Sequence, residues 1–233
     1  MKKSMTTLGA TVLMLFAATS VGASAASAHN TDGESGKGAG KTVTLTATLS
    51  QLNNSGASGM ATAVVRNKKI RSIDVRAMGL TPDAPHAQHI HFGDQALHEC
   101  PTLAQDANND GRLTTVEGVP AYGPVAVSLT TTGDTSPASL LAVDRFPVAE
   151  DGMYNYSRSN IKFTDVAGAG VGGGVGTAKQ IADAVRAGEG VLVIHGIDYN
   201  EDGVYSLSDE GASELNPALP AEATDPAACG VLR

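Results

Sequence analysis

The chain has few aromatic residues, no tryptophan and no excess of positive charge. Aromatic residues make up only 4% of its 233 residues, so a hydrophobic core must be built from Val, Ile, Leu and Ala. With 16 basic and 24 acidic residues the net charge is −8, which makes nucleic acid and anionic membranes poor partners. The one marked apolar run, near residues 8–18, is too short to cross a bilayer, so we expect no membrane span.

The first 28 residues have the pattern of a secretory signal peptide. Lys2 and Lys3 precede the apolar run, and small residues ending in Ala26-Ser27-Ala28 follow it. We therefore expect a secreted protein, located outside the cell or in a periplasmic or cell-wall space. Removing residues 1–28 takes away two basic residues and no acidic one, which changes the net charge from −8 to 14 − 24 = −10.

The rest of the chain predicts a short leader and one all-β domain. Residues 29–40 are glycine-rich and polar, as in a flexible leader, and residues 41–233 suit a single domain. Short apolar-alternating segments with polar connections predict an antiparallel sandwich or barrel of about eight strands. One helix is predicted over residues 176–187, after a Gly/Ala/Val loop at 167–176. The predicted strands are 42–49, 60–66, 69–78, 86–92, 125–131, 154–163, 190–197 and 228–232.

Two histidines stand close together in the fourth predicted strand. His89 and His91 are two residues apart, so in an extended segment both side chains leave the same face, about 7 Å apart. Imidazole is the usual ligand of copper and zinc, and such a pair needs one or two further nitrogens. His195, at the end of an apolar run, is the best candidate. The alternative is that these residues are surface histidines or hydrogen-bonded core histidines.

Two acidic segments, residues 106–117 and 198–209, match the twelve-position calcium-binding loop, with glycine at position 6 and a backbone carbonyl expected at position 7. Plain acidic turns are the alternative, more so for the second loop, where position 12 is the shorter Asp209. Neither is expected to be a helix-loop-helix unit, because the first runs into Gly118-Val119-Pro120 and a strand precedes the second. The predicted ligands are Asp106, Asn108, Asp110, Arg112, Thr114 and Glu117, and then Asp198, Asn200, Asp202, Val204, Ser206 and Asp209.

The chain has two cysteines, Cys100 and Cys229, far apart in sequence. In an exported protein such a pair favours one structural disulfide that closes a long loop. Two unpaired thiols are the alternative.

Three of these segments, in this order, resemble motifs of the copper-zinc superoxide dismutase family. Pro85–Asp94 followed by Cys100 resembles the first copper motif, Leu192–His195 the strand with a further copper histidine, and Ala228–Leu232 the C-terminal strand with the second cysteine. The resemblance covers most of residues 41–233 and implies a Greek-key β-sandwich. It implies a copper site of His89, His91 and His195. It further implies that His86 supports these ligands, while His98 is a weaker candidate for a fourth one.

The chain departs from that family between the motifs. The family's zinc histidines would follow the first motif, but no histidine occurs between Cys100 and His195, so zinc is not expected. The arginine that guides the anionic substrate in the family corresponds here to Pro226, preceded by Asp225. The second calcium-like loop occupies the place of the family's guiding loop.

The resemblance implies a copper-only enzyme that oxidises one superoxide to oxygen and reduces the next to hydrogen peroxide. The main alternative is a secreted copper- and calcium-binding domain without turnover, since a fold does not determine function. A third interpretation uses His29. Cleavage after Ala28 would let its amine and imidazole chelate copper together, whereas cleavage after Ala25 would not.

Overall fold

The computed structural model describes residues 41–233. The predicted signal peptide, the leader and His29 lie outside the described residues. The strands are β1 (Thr42–Gln51), β2 (Ser58–Arg66), β3 (Lys69–Met78), β4 (Gln88–His91), β5 (Val125–Ser128), β6 (Met153–Lys162), β7 (Val166–Ala167), β8 (Val175–Gly176), β9 (Val191–His195) and β10 (Pro226–Val231). The helices are α1 (Thr115–Tyr122) and α2 (Ala178–Ala187).

Eight antiparallel strands form one curled sheet, a half-barrel, in the order β5-β4-β9-β10-β1-β2-β3-β6. The predicted all-β fold class is therefore confirmed. In the described part of the chain, neither helix has the length and hydrophobicity that a membrane crossing needs.

The burial pattern of the strands explains where the histidines lie. In β3, Ile73, Val75 and Ala77 are buried and alternate with exposed polar residues, as expected for a strand with one solvated face. Every residue of β4 and β9 is buried, because connecting segments cover the second face of these strands. Polar side chains on β4 and β9 are therefore enclosed in protein.

Two connections between the strands contain regular structure that the sequence pattern does not predict. The first acidic loop leads into helix α1, which begins at Thr115 and includes Gly118 and Pro120. Gly118 and Pro120 argue against a helix, but Thr114 and Glu117 form a capping box that begins one. Residues 167–176, predicted as a loop, form one between β7 and β8, and its ends, residues 167, 175 and 176, pair as a short antiparallel hairpin.

Cys100 and Cys229 form a disulfide, with their Cα atoms 5.7 Å apart, so that prediction is confirmed. The bond joins the segment after β4 to the last strand across a sequence separation of 129 residues. It therefore ties the segment that precedes the first acidic loop to the strand that follows the second.

Replacing both cysteines with serine should lower the free energy of unfolding by about 2–5 kcal/mol, because the crosslink restricts the unfolded chain. Urea denaturation of the wild type and of the Cys100→Ser/Cys229→Ser variant measures the difference. The Ser50→Ala variant, on the strand opposite Cys229, controls for local packing. Equal stability of the oxidised wild type and the double variant would contradict this expectation.

Candidate metal centre

His89, His91 and His195 meet inside the protein, where β4 pairs with β9. Each ring offers one nitrogen, and these three nitrogens all lie within 4.8 Å of one another. The three side chains are 4% exposed or less. Among residues 41–233 this is the only such convergence of histidine, cysteine or acidic side chains. The group could hold a metal ion.

The second nitrogen of each ring is fixed by a backbone carbonyl. The distances are 3.2 Å from His89 Nε2 to Leu140 O, 2.8 Å from His91 Nδ1 to Gly123 O, and 2.7 Å from His195 Nδ1 to Thr224 O. A carbonyl oxygen only accepts, so the bonded nitrogen carries the proton and the other nitrogen keeps a free lone pair. The three remaining nitrogens are buried and have no hydrogen-bond partner among residues 41–233. A metal ion would satisfy all three.

Burial keeps the three imidazoles neutral. Desolvation lowers the pKa of His195 to about 4, and desolvation together with the charge of His195 lowers the pKa of His91 to about 3. The pKa of His89 lies well below its ordinary value, first through burial and then through repulsion from the other two rings. Neutral imidazole is the form that binds metals. At neutral pH the site therefore presents three uncharged donors.

A helix end positions the ring of His91. Gly123 ends α1 with φ of 85°, and a Cβ atom there would lie 2.6 Å from the backbone nitrogen of Gly93. Only glycine lets the end of α1 approach the exit of β4 this closely. The preceding residue, Tyr122, packs against His91 with ring centroids 4.4 Å apart. The first acidic loop thus leads into a helix that orients one of the three histidines.

The other two histidines of the domain have different surroundings. His86 is buried, its Nδ1 lies 2.9 Å from the backbone oxygen of His195, and the Tyr205 hydroxyl lies 3.1 Å from that nitrogen. His86 therefore contacts the backbone, and not the ring, of His195. His98 stacks on Phe92, and its Nε2 lies 2.8 Å from the carbonyl of Gly93. The structure does not bring His98 to the three-histidine group.

The space around the three histidines is apolar. Leu140, Leu141, Val143, Leu215 and Leu219 line it, and no charged side chain is among the lining residues in the described part of the chain. Arg112 is held elsewhere: its Nη1 lies 2.6 Å from Asp225 and its Nε lies 2.8 Å from Glu210. An anion that approaches the histidines would therefore not meet a free cation in this lining.

The two acidic loops fold alike through position 7. Position 1 accepts hydrogen bonds from the backbone N–H groups of positions 5 and 6, at 3.3 and 2.8 Å for Asp106 and at 3.2 and 2.7 Å for Asp198. Gly111 and Gly203, at position 6, both have φ of 86°, a conformation that glycine adopts without strain. The carboxylates of the loops do not converge as closely as the three histidines. The backbone of both loops nevertheless has the turn expected from the sequence.

The loops differ at position 12. In the first loop, Glu117 accepts hydrogen bonds from the N–H groups of Ala107 and Thr114, both at 2.9 Å. In the second loop, Asp209 is exposed and makes no such bond in the described structure. The two loops therefore share their hydrogen-bonding pattern through position 7 but differ at position 12.

No protein-family model matches the chain, and no curated protein matches it. The resemblance to the copper-zinc superoxide dismutase family therefore stays a hypothesis that the three motifs carry, and the three-histidine group is the main structural indication of function.

Proposed function

We propose that the chain binds one copper ion through His89, His91 and His195. The observation that carries the proposal is the convergence of three buried ring nitrogens that have no hydrogen-bond partner in the described part of the chain. Backbone carbonyls that accept from the opposite ring nitrogens, as here, orient metal-binding histidines and fix their tautomers. A site of three imidazoles suits copper and zinc, and copper(II) binds such donors most tightly among the divalent first-row metals. Copper is also the metal implied by the resemblance of the surrounding motifs to the copper-zinc superoxide dismutase family.

We further propose superoxide as the substrate of the copper-loaded protein. Bound copper would supply the one-electron chemistry by which one superoxide is oxidised to oxygen and another is reduced to hydrogen peroxide. Three protein ligands leave a coordination position for a small substrate. The contribution of the chain is to hold three neutral donors in place and to keep the surroundings apolar.

A second candidate function is copper binding without turnover. The apolar lining with Leu140, Leu141 and Leu215, which includes no charged side chain from residues 41–233, favours it. Such a lining offers no charge that attracts superoxide. The two candidates share the same ligands and differ only in whether the bound copper consumes superoxide.

We also propose calcium as the ligand of the two acidic loops. Carboxylate, amide and carbonyl oxygens around a tight turn are the donors that calcium prefers. Asp198 lies three residues after His195, so calcium there would order the end of β9. Export of the protein agrees with the disulfide, because disulfides persist mainly in oxidising compartments.

Titration of the metal-free protein with copper(II) and, separately, with zinc(II) tests the main proposal. We expect one tightly bound copper per chain, an electron paramagnetic resonance spectrum with coupling to nitrogen ligands, and weaker binding of zinc. The His29→Ala variant is the control for chelation at the N-terminus and should bind copper equally well. A chain without a copper site, or one that prefers zinc, would refute the proposal.

A further inference from the structure

The carboxylate at position 12 closes the first acidic loop. Glu117 Oε1 accepts from the backbone N–H of Ala107, at position 2, and its Oε2 accepts from that of Thr114, at position 9. One side chain therefore bridges the two ends of the turn. In calcium loops of this length, the bidentate carboxylate occupies this place.

In the second loop, a residue from outside the twelve positions makes the same two bonds. Glu222 Oε1 accepts from the N–H of Tyr199, at position 2, at 3.3 Å, and its Oε2 accepts from that of Ser206, at position 9, at 2.7 Å. Glu222 belongs to a short 3-10 helix, Ala221–Ala223, that precedes β10. Its carboxylate thus takes the place in the second loop that Glu117 takes in the first.

Glu222 is fully buried, with 0% of its surface exposed. It takes part in none of the ion pairs between the described residues, so no lysine or arginine offsets its charge. The carboxylates of Asp198 and Asp202 in the same loop add further negative charge. Burial of a carboxylate is costly unless a cation accompanies it, and two backbone N–H groups compensate only part of that cost. The side chain is aimed into the loop and lacks a positive partner.

We infer that Glu222, and not Asp209, is the bidentate calcium ligand of the second loop. The inference rests on the proposal above that this loop binds calcium, and it assigns the closing ligand to a segment that the sequence motif does not include. The resulting set of ligands is Asp198, Asn200, Asp202, the carbonyl of Val204, Ser206 and Glu222.

This assignment connects the calcium site to the three histidines. The backbone N–H of Ile197 donates to the carbonyl of Glu222 at 2.8 Å. Two residues after Glu222, the carbonyl of Thr224 accepts from His195 Nδ1. Calcium bound by Glu222 would therefore fix the segment that orients His195. Groups that hydrogen-bond to metal-binding histidines raise the affinity of a metal site by about 10–100-fold when they are ordered. Calcium in the second loop should therefore strengthen copper binding.

Calorimetric titration with calcium chloride tests the assignment in a Glu117→Gln background, where only the second loop retains its closing carboxylate. Glutamine still satisfies the capping box of α1, so this background should fold. We expect it to bind one calcium ion. Adding Glu222→Gln should weaken that binding by about 100-fold or more, because a charged ligand is lost. Adding Asp209→Asn, the matched control, should change the affinity by less than about threefold.

The titrations distinguish failure of the Glu222 assignment from failure of the proposal that the loops bind calcium. If the wild-type chain does not bind calcium, the proposal for the loops fails and the assignment fails with it. If the Glu117→Gln chain binds calcium and Asp209→Asn abolishes that binding, the assignment alone is overturned. The Asp209→Asn variant still tests whether Asp209 binds calcium if the Glu222→Gln chain does not fold. Asp209 is exposed, so its replacement leaves the core intact.

Discussion

Replacing His195 with alanine should weaken copper binding by about 100-fold or more. Loss of a residue that only orients a ligand already costs 10–100-fold in metal affinity, so loss of the ligand itself should cost at least the upper end of that range. His89→Ala and His91→Ala should have effects of the same size, because the three free nitrogens are equivalent in burial and lack of partners. Competition titration against a chelator of known copper affinity measures each dissociation constant.

His98→Ala is the matched control for these variants, since it removes an imidazole that is hydrogen-bonded to Gly93 and lies outside the three-histidine group. Its copper affinity should equal that of the wild type. His86→Ala should give a smaller loss than the ligand variants, because His86 reaches the site only through the backbone of His195. Wild-type affinity in the His195→Ala protein would show that β9 does not supply a ligand and that the proposed site is wrong.

The fold class could be predicted because strand alternation lies along the chain, and the disulfide could be predicted because the chain has only two cysteines, which allow one pairing. Alternation of buried and exposed residues, as in β3, is a direct consequence of strand geometry. The His89 and His91 pair is visible for the same reason, since residues two apart share a face. The pairing of β4 with β9, which brings His195 to that pair, is a long-range contact that a strand pattern does not specify by itself.

The remaining parts of the site could not be read from the sequence. The groups that fix the three rings are backbone carbonyls of Leu140, Gly123 and Thr224, and every residue type carries a carbonyl, so none of them has a sequence signal. Helix α1 lacks a clear helical pattern in the sequence, because Gly118 and Pro120 disfavour a helix, and the capping box of Thr114 and Glu117 is what begins it. Glu222 was missed because its carboxylate reaches the second loop from a separate segment, outside the twelve positions of the motif.

Superoxide consumption by the copper-loaded protein should be slow, about 10–10³-fold below the rate of an enzyme with attractive electrostatic steering. Superoxide is an anion, and a cationic cleft around the metal is what accelerates its encounter. Among residues 41–233 the lining includes leucine and valine and lacks charged side chains, and the chain carries a net charge of −8, or 14 − 24 = −10 without residues 1–28. Pulse radiolysis, with excess copper removed by a chelator, measures the second-order rate constant. The His195→Ala protein treated in the same way corrects for free copper.

The dependence of the superoxide consumption rate on salt shows whether electrostatic attraction of superoxide accelerates the reaction. Salt screens attraction and repulsion alike, so a steered enzyme slows as ionic strength rises, whereas an acidic protein without a guiding cation should keep its rate or become slightly faster. Arg112 cannot act as that guide while Asp225 and Glu210 hold its guanidinium. Arg112→Gln should therefore leave the salt dependence unchanged. A rate near the diffusion limit that falls steeply with salt would contradict this account, and Arg112→Gln and Arg233→Gln would then show which cation attracts the substrate.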